Sequence, residues 1–89
     1  MSLENYFVYV LLSLKDGKFY VGYSRHLNQR LKQHSRGEVI STMNRRPLKI
    51  VHYEWFLNEK DAKARERFLK SGFGREQLRA SLKRTLFTI

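Results

Sequence analysis

The stretch Tyr6-Phe7-Val8-Tyr9-Val10-Leu11-Leu12-Ser13-Leu14, then Lys15-Asp16-Gly17, then Lys18-Phe19-Tyr20-Val21-Gly22-Tyr23, decides how this chain folds. The first segment is aromatic and aliphatic without a charge, which reads as a strand buried on both faces. Asp16-Gly17 marks a hairpin turn, because glycine accepts the positive φ that a tight turn needs. Lys18 to Tyr23 is then the partner strand. A two-residue loop pairs Ser13 with Tyr20, and a four-residue loop pairs Leu11 with Tyr20. Both registers put Tyr9 and Tyr20 on one face, since positions 9, 11 and 13 alternate together and opposed residues point the same way. A three-residue loop would separate them. In the four-residue register the tyrosines stand two positions apart along the strand, roughly 7 Å.

Working outward, Ser24 is a candidate N-cap for a helix from Arg25 to Ser35, with Leu27, Leu31 and His34 on one face and Gly37 as its stop. Glu38 to Pro47 is polar and basic and reads as an exposed loop. Leu48 to Leu57 reads as a third strand. Asn58 can cap a helix from Glu59 to Ser71 carrying Ala62, Glu66 and Leu69 at helical spacing, with Gly72 ending it. Gly74 precedes a last helix in which Leu78, Leu82 and Leu86 recur every four residues. The order ββαβαα is an α+β domain, a small three-stranded antiparallel sheet with helices packed on it. The 89 residues are room for one domain, expected over 6–89, with Met1 to Asn5 as a leader.

Composition narrows the chemistry. The absence of cysteine excludes a disulfide scaffold, a thiolate metal site and a cysteine nucleophile, and three histidines alone make a poor structural zinc site. The longest uncharged run, Asn5 to Leu14, is too short to span a bilayer and lacks a signal peptide's basic leader, so a cytoplasmic protein without a membrane partner is expected. Eighteen Lys and Arg against eight Asp and Glu leave a formal charge of +10. Such an excess on so small a body favours a polyanionic partner, nucleic acid first. A membrane surface would call for one basic amphipathic helix, but here the charges run from Lys15 to Arg84.

Three further residues stand out. Arg30 and His34 lie four apart on the first helix and project from one side of it. His34 also continues the Leu27/Leu31 stripe, at the border between core and surface. Taken singly, each has an ordinary explanation, a solvated arginine and a core-edge histidine, just as the two tyrosines have as sheet aromatics. Glu66 sits among Lys63, Arg65, Arg67 and Lys70, yet falls on the Ala62/Leu69 face. Its ordinary explanation is an i,i+4 pair with Lys70, worth a few tenths of a kcal/mol. Its functional one is a hard-metal ligand, since Mg²⁺ is commonly held by one carboxylate with waters and a substrate phosphate.

The ordered set Val8-Tyr9, ten intervening residues, Tyr20-Val21-Gly22, Arg30-x-x-x-His34 and a glutamate on a later helix resembles the GIY-YIG endonuclease superfamily. That superfamily includes homing endonucleases, some restriction enzymes and the N-terminal nuclease domain of the excision-repair protein UvrC. The length and the Glu66-x-x-x-Lys70 helix are most similar to its short stand-alone bacterial branch, the YhbQ-like proteins. The resemblance spans Tyr6 to Leu82. Phe7 stands where the first triplet has glycine, and valine replaces isoleucine in both triplets.

The resemblance implies a Mg²⁺-dependent (or Mn²⁺-dependent) endonuclease that hydrolyses phosphodiesters in nucleic acid. DNA is the expected substrate, directed by structure rather than base sequence, with a role in DNA repair. It implies that Tyr9 activates water, Tyr20 positions it, Arg30 clamps the phosphate, His34 orients a tyrosine or touches a phosphate oxygen, and Glu66 holds one metal ion. Free tyrosine titrates near 10, so a neighbouring cation, Arg30, is expected to lower Tyr9. The five residues are expected to converge on one concave face formed by the hairpin and two helices. Arg25, Arg30, Lys32, Arg45 and Arg46 are expected to contact the nucleic acid. A monomer is the default expectation, with a dimer open. The alternative is a non-catalytic basic nucleic-acid-binding module, which the same charge would serve but which has no use for a lone acid in a basic helix.

Overall fold

The computed structural model describes residues 4–89. Strands β1 (Tyr6–Ser13) and β2 (Phe19–Ser24) form the hairpin, helices α1 (Leu27–Ser35) and α2 (Ile40–Met43) follow, then β3 (Leu48–Phe56), α3 (Glu59–Lys70), α4 (Gly72–Ser81) and α5 (Lys83–Phe87). The sheet order is β2-β1-β3, antiparallel throughout, so β1 is the central strand. Leu11 faces Tyr20 and Tyr9 faces Gly22, the register of the four-residue loop. Ser13 explains the choice. Its main chain receives Gly17 N–H and donates to Lys18, while its hydroxyl accepts from the Lys15 and Asp16 amides, so the loop is stitched from within. Gly17 has φ 73° there.

Alternation along β1 builds two cores. Val8, Val10 and Leu12 join Phe19 and Val21 against Ala62, Leu69, Leu78 and Leu82 of α3, α4 and the α4–α5 junction. Tyr9 and Leu11 point the other way, onto Leu27 and Leu31 of α1. Helices therefore cover both faces. A bulge between Val10 and Leu11 lets His52 face Val10 and Ile50 face Leu11, leaving Val51 as the extra residue.

Several boundaries differ from the sequence reading. Ser24 does accept a helix-entry amide, that of His26, but α1 begins at Leu27 rather than Arg25. The segment 38–47 is not simply an exposed loop: it holds α2, with Val39 and Thr42 buried. Gly72 does not stop α3. Ser71 ends that helix and caps the next by accepting from Gly74 N–H, so α4 already includes Gly72. The last helix is broken at Leu82 into α4 and α5. Of the expected leader, Met1 to Leu3 lies outside the described residues. Glu4 accepts from Tyr6 and Arg25, and Asn5 accepts from the Trp55 indole. No helix among the described residues is long and apolar enough to cross a membrane.

Gly74 is where the α3–α4 corner is tightest. A Cβ there would lie 2.0 Å from the Phe68 carbonyl oxygen, which is backbone and cannot turn aside. Gly74→Ala is expected to destabilise the domain by about 2 kcal/mol or more, as overpacking does. In a domain this small that lowers the melting temperature by roughly 10 °C. A thermal melt checks it, and an unchanged midpoint would contradict the tight corner.

Candidate active site

Tyr9 occupies the centre. Its side chain leans over Gly22 on the edge strand β2, so that a Cβ at position 22 would stand 2.4 Å from both its Cζ and its hydroxyl. Gly22 thus makes room for the ring. Tyr9 is fully buried, and its hydroxyl is 2.8 Å from Nε2 of His34, itself 1% exposed. Tyr20, only half-buried, completes a triangle of rings. Its centroid is 6.4 Å from Tyr9 and 5.2 Å from His34, and the Tyr9–His34 distance is 5.5 Å.

The electrostatics differ from expectation. Burial pushes the Tyr9 phenol up to about 12, although the Arg30 guanidinium beside it favours the phenolate. Desolvation outweighs the cation because a buried negative oxygen loses more hydration than one partly exposed guanidinium restores. His34 is pushed down to about 4, by burial first and by the Arg30 charge second. At neutral pH both groups are therefore uncharged. Arg30 is held by the side chain of Gln33, to which it donates at 2.9 Å.

The depressed His34 has a consequence for stability. The unfolded chain takes up this proton near pH 6.5, whereas the folded chain refuses it until about pH 4. The stabilisation from neutral His34 is complete above about pH 6.5 and is lost as pH falls through about 4. It is worth on the order of 3 kcal/mol. Urea unfolding at pH 7 and pH 4 should show this loss in the parent. His34→Asn, less stable at pH 7, should show a flatter acid limb.

Glu66 arrives differently from the reading that put all five residues on one face. Helix α3 packs against Val8 and Val21, the side of the sheet opposite Tyr9. Its carboxylate nonetheless acts on the Tyr9 hydroxyl, raising its proton affinity. Helix α3 packs against edge strand β2, over whose Gly22 the Tyr9 ring hangs. Glu66 is 17% exposed and forms the i,i+4 pair with Lys70 at 2.9 Å. Among the described residues no cluster of three or more His, Cys, Asp or Glu gathers here. The donor set is therefore a single hard carboxylate, which fits Mg²⁺ or Mn²⁺ bound largely through water and phosphate and does not fit a protein-caged zinc. The Lys70 pair is a surface contact of the weak kind that a divalent ion can displace.

The expected nucleic-acid contacts divide. Arg25 is paired with Glu4 at 2.9 Å and lies over the Tyr6 ring. Arg45 donates to Asp16 at 2.8 Å and to the Lys18 and Phe19 carbonyls, pinning the hairpin, and holds the Asp16 carboxyl well below its usual range. Arg46 donates to Met43 and Ser35 carbonyls. Lys32 is exposed on α1, on the helix that carries Arg30. A basic groove of about 540 Å³ that sequence reading did not foresee lies between the hairpin tip and α4, lined by Lys18, Arg45, Arg75 and Arg79 with Asp16 and Phe19. Its residues are too far apart in sequence for any local signal. Thr42 was missed as well, and it holds the other nitrogen of His34.

Residues 5–79 match the family model described as the GIY-YIG catalytic domain. The chain is 37% identical over 65 residues to a UPF0213 protein of Clostridium perfringens, covering 72% of this chain and 69% of that one. It is 34% identical over 79 residues to a UPF0213 protein of Pediococcus acidilactici, covering 85% and 81%. Among solved structures it is similar to the solution NMR structure of a UPF0213 protein from Bacillus halodurans, with a TM-score of 0.56 and 35% identity over 89% of this chain and 85% of that one.

Proposed function

This chain belongs to the GIY-YIG family of nucleases, and from that premise we propose a Mg²⁺- or Mn²⁺-dependent endonuclease that hydrolyses phosphodiesters in DNA, selecting by structure rather than base sequence. The observation that carries the reading is the Tyr9 hydroxyl. It is buried over Gly22, bonded to His34 Nε2 at 2.8 Å, and under the charges of both Arg30 and Glu66.

At neutral pH Tyr9 keeps its proton, so it cannot act as a ready-made phenolate base. It can still activate water by passing its own proton on. In this reading the attacking water gives a proton to the Tyr9 oxygen while Tyr9 gives its proton to His34 Nε2, and the water oxygen forms the new bond to phosphorus as the bond to the leaving oxygen breaks. His34, a weak base in this setting, then gives its proton up to solvent, and the leaving oxygen takes a proton from solvent, so that Tyr9 and His34 end as they began. Arg30 neutralises the phosphate through its planar donor fork. In this reading a bound phosphate draws the Arg30 guanidinium away from Gln33 and from the Tyr9 hydroxyl, which opens that hydroxyl to water. Tyr20, at the surface of the same triangle, positions that water. Glu66 would hold the divalent ion, which when bound supplies charge neutralisation at the phosphate and leaving oxygen.

The test is incubation of the purified chain with labelled DNA and RNA as single strands, duplexes, flaps and branches, in Mg²⁺, in Mn²⁺ and in EDTA. Cleavage that needs the metal and depends on DNA structure is the expected result. Binding without cleavage of any substrate would replace the nuclease with a basic binding module.

A further inference from the structure

Thr42 comes from α2, the short helix inside the segment that reads as an exposed loop, yet it is completely buried. Its Oγ1 is 2.8 Å from His34 Nδ1, and His34 Nε2 is 2.8 Å from the Tyr9 hydroxyl. The three side chains form one buried line, Thr42–His34–Tyr9. The groups facing the imidazole are Tyr9 from β1, Tyr20 from β2, Arg30 from α1 and Thr42 from α2. Arg30 is the charged one among them. A small cavity of about 140 Å³ beside the ring is lined by Leu11, Leu31, Ser35, Leu48 and Ile50, none of which is hydrogen-bonded to the imidazole.

A neutral imidazole carries one N–H, so the two hydrogen bonds must run in a common direction. In one arrangement Tyr9 donates to Nε2 and Nδ1–H donates to Thr42. In the other Thr42 donates to Nδ1 and Nε2–H donates to Tyr9. The second leaves the hydrogen of the buried, protonated Tyr9 without an acceptor, because His34 is its hydrogen-bond partner among the described side chains and the Arg30 cation beside it cannot accept. The first gives that hydrogen an acceptor. The phenol is also the stronger acid of the two hydroxyls and the alcohol the better acceptor, which favours the same arrangement.

We infer that Thr42 is a positioning residue: by accepting from His34 Nδ1–H it fixes the tautomer and ring orientation that aim the Nε2 lone pair at Tyr9. This rests on the nuclease reading only for its effect on cleavage, because the tautomer is measurable in the free protein. A partner that fixes one ring nitrogen of a histidine sets what the other can do. Being a neutral hydroxyl rather than a carboxylate, Thr42 orients the ring while raising its basicity far less than a carboxylate would.

The experiment is ¹⁵N NMR of the His34 ring in the parent, Thr42→Val and Thr42→Ser, with cleavage rates alongside. The parent should show the proton on Nδ1 and a bare Nε2. Thr42→Val should shift the ring to the Nε2–H form and lower kcat by about 10- to 100-fold, the cost of losing an outer partner that orients an imidazole, with KM little changed. Thr42→Ser should restore both the tautomer and the rate. An Nε2–H tautomer in the parent overturns the inference, even if Thr42→Val fails to fold. So does a folded Thr42→Val with parental tautomer and rate. If the parent cuts nothing but shows the predicted tautomers, the positioning stands and the nuclease reading falls.

Discussion

Glu66→Gln is expected to fold like the parent, bind nucleic acid at least as tightly, and cleave it about 10³-fold more slowly. Glutamine keeps the volume of the side chain and forfeits only a helix-surface pair with Lys70, worth a few tenths of a kcal/mol. The loss in rate follows from the metal. Lewis-acid stabilisation of a phosphoryl transition state is worth several kcal/mol, and each 1.36 kcal/mol is a factor of ten. Affinity moves the other way, because the change removes a negative charge from a chain of net +10. Single-turnover cleavage and a binding titration on the same substrate separate the two effects. A folded variant that cuts at the parental rate would remove Glu66 from the chemistry.

Tyr9→Phe deletes one oxygen at the centre of the site. The ring still fills its place over Gly22, but His34 Nε2 loses its partner in a buried setting, which costs about 1–3 kcal/mol of stability. The variant should remain folded at 25 °C. Cleavage should fall about 10²- to 10⁴-fold, the range for losing a positioned proton-transfer group. The fall should appear in kcat with KM nearly unchanged, since Arg30 and the outlying cations still hold the phosphates. A rise in KM at constant kcat would instead make Tyr9 a binding residue.

The hairpin was readable because three local signals agree: an apolar run, Asp16-Gly17, and a second aromatic run. The sequence left its register open between two loop lengths, and the hydroxyl of Ser13, which accepts from two loop amides, shows why the longer one holds. Helix α2 escaped notice because four residues, Ile40–Met43, are too few for a periodic pattern, and its capping residue Val39 uses no side-chain hydrogen bond. Thr42 was hidden with it. Gly72 misled because a glycine after a helix reads as a stop, whereas here Ser71 caps the next helix at once. The pairing of Tyr9 with Tyr20 and of Arg30 with His34 followed from period and parity. What could not be read was environment. The burial of Tyr9 reverses the direction expected from Arg30 alone, Asp16 claims Arg45 across the fold, and only the tertiary packing tells that the helix carrying Glu66 lies on the face of the sheet opposite Tyr9.

The most direct test of the central claim is single-turnover cleavage of one labelled DNA substrate by the parent and Tyr9→Phe. Enzyme is in excess, Mg²⁺ is compared with EDTA, and each protein's folding and binding are measured in the same buffer. The parent is expected to cleave only with Mg²⁺, while Tyr9→Phe binds equally well and cleaves at least about 10²-fold more slowly. Cleavage by the parent that persists in EDTA, or equal rates for parent and Tyr9→Phe, would contradict it.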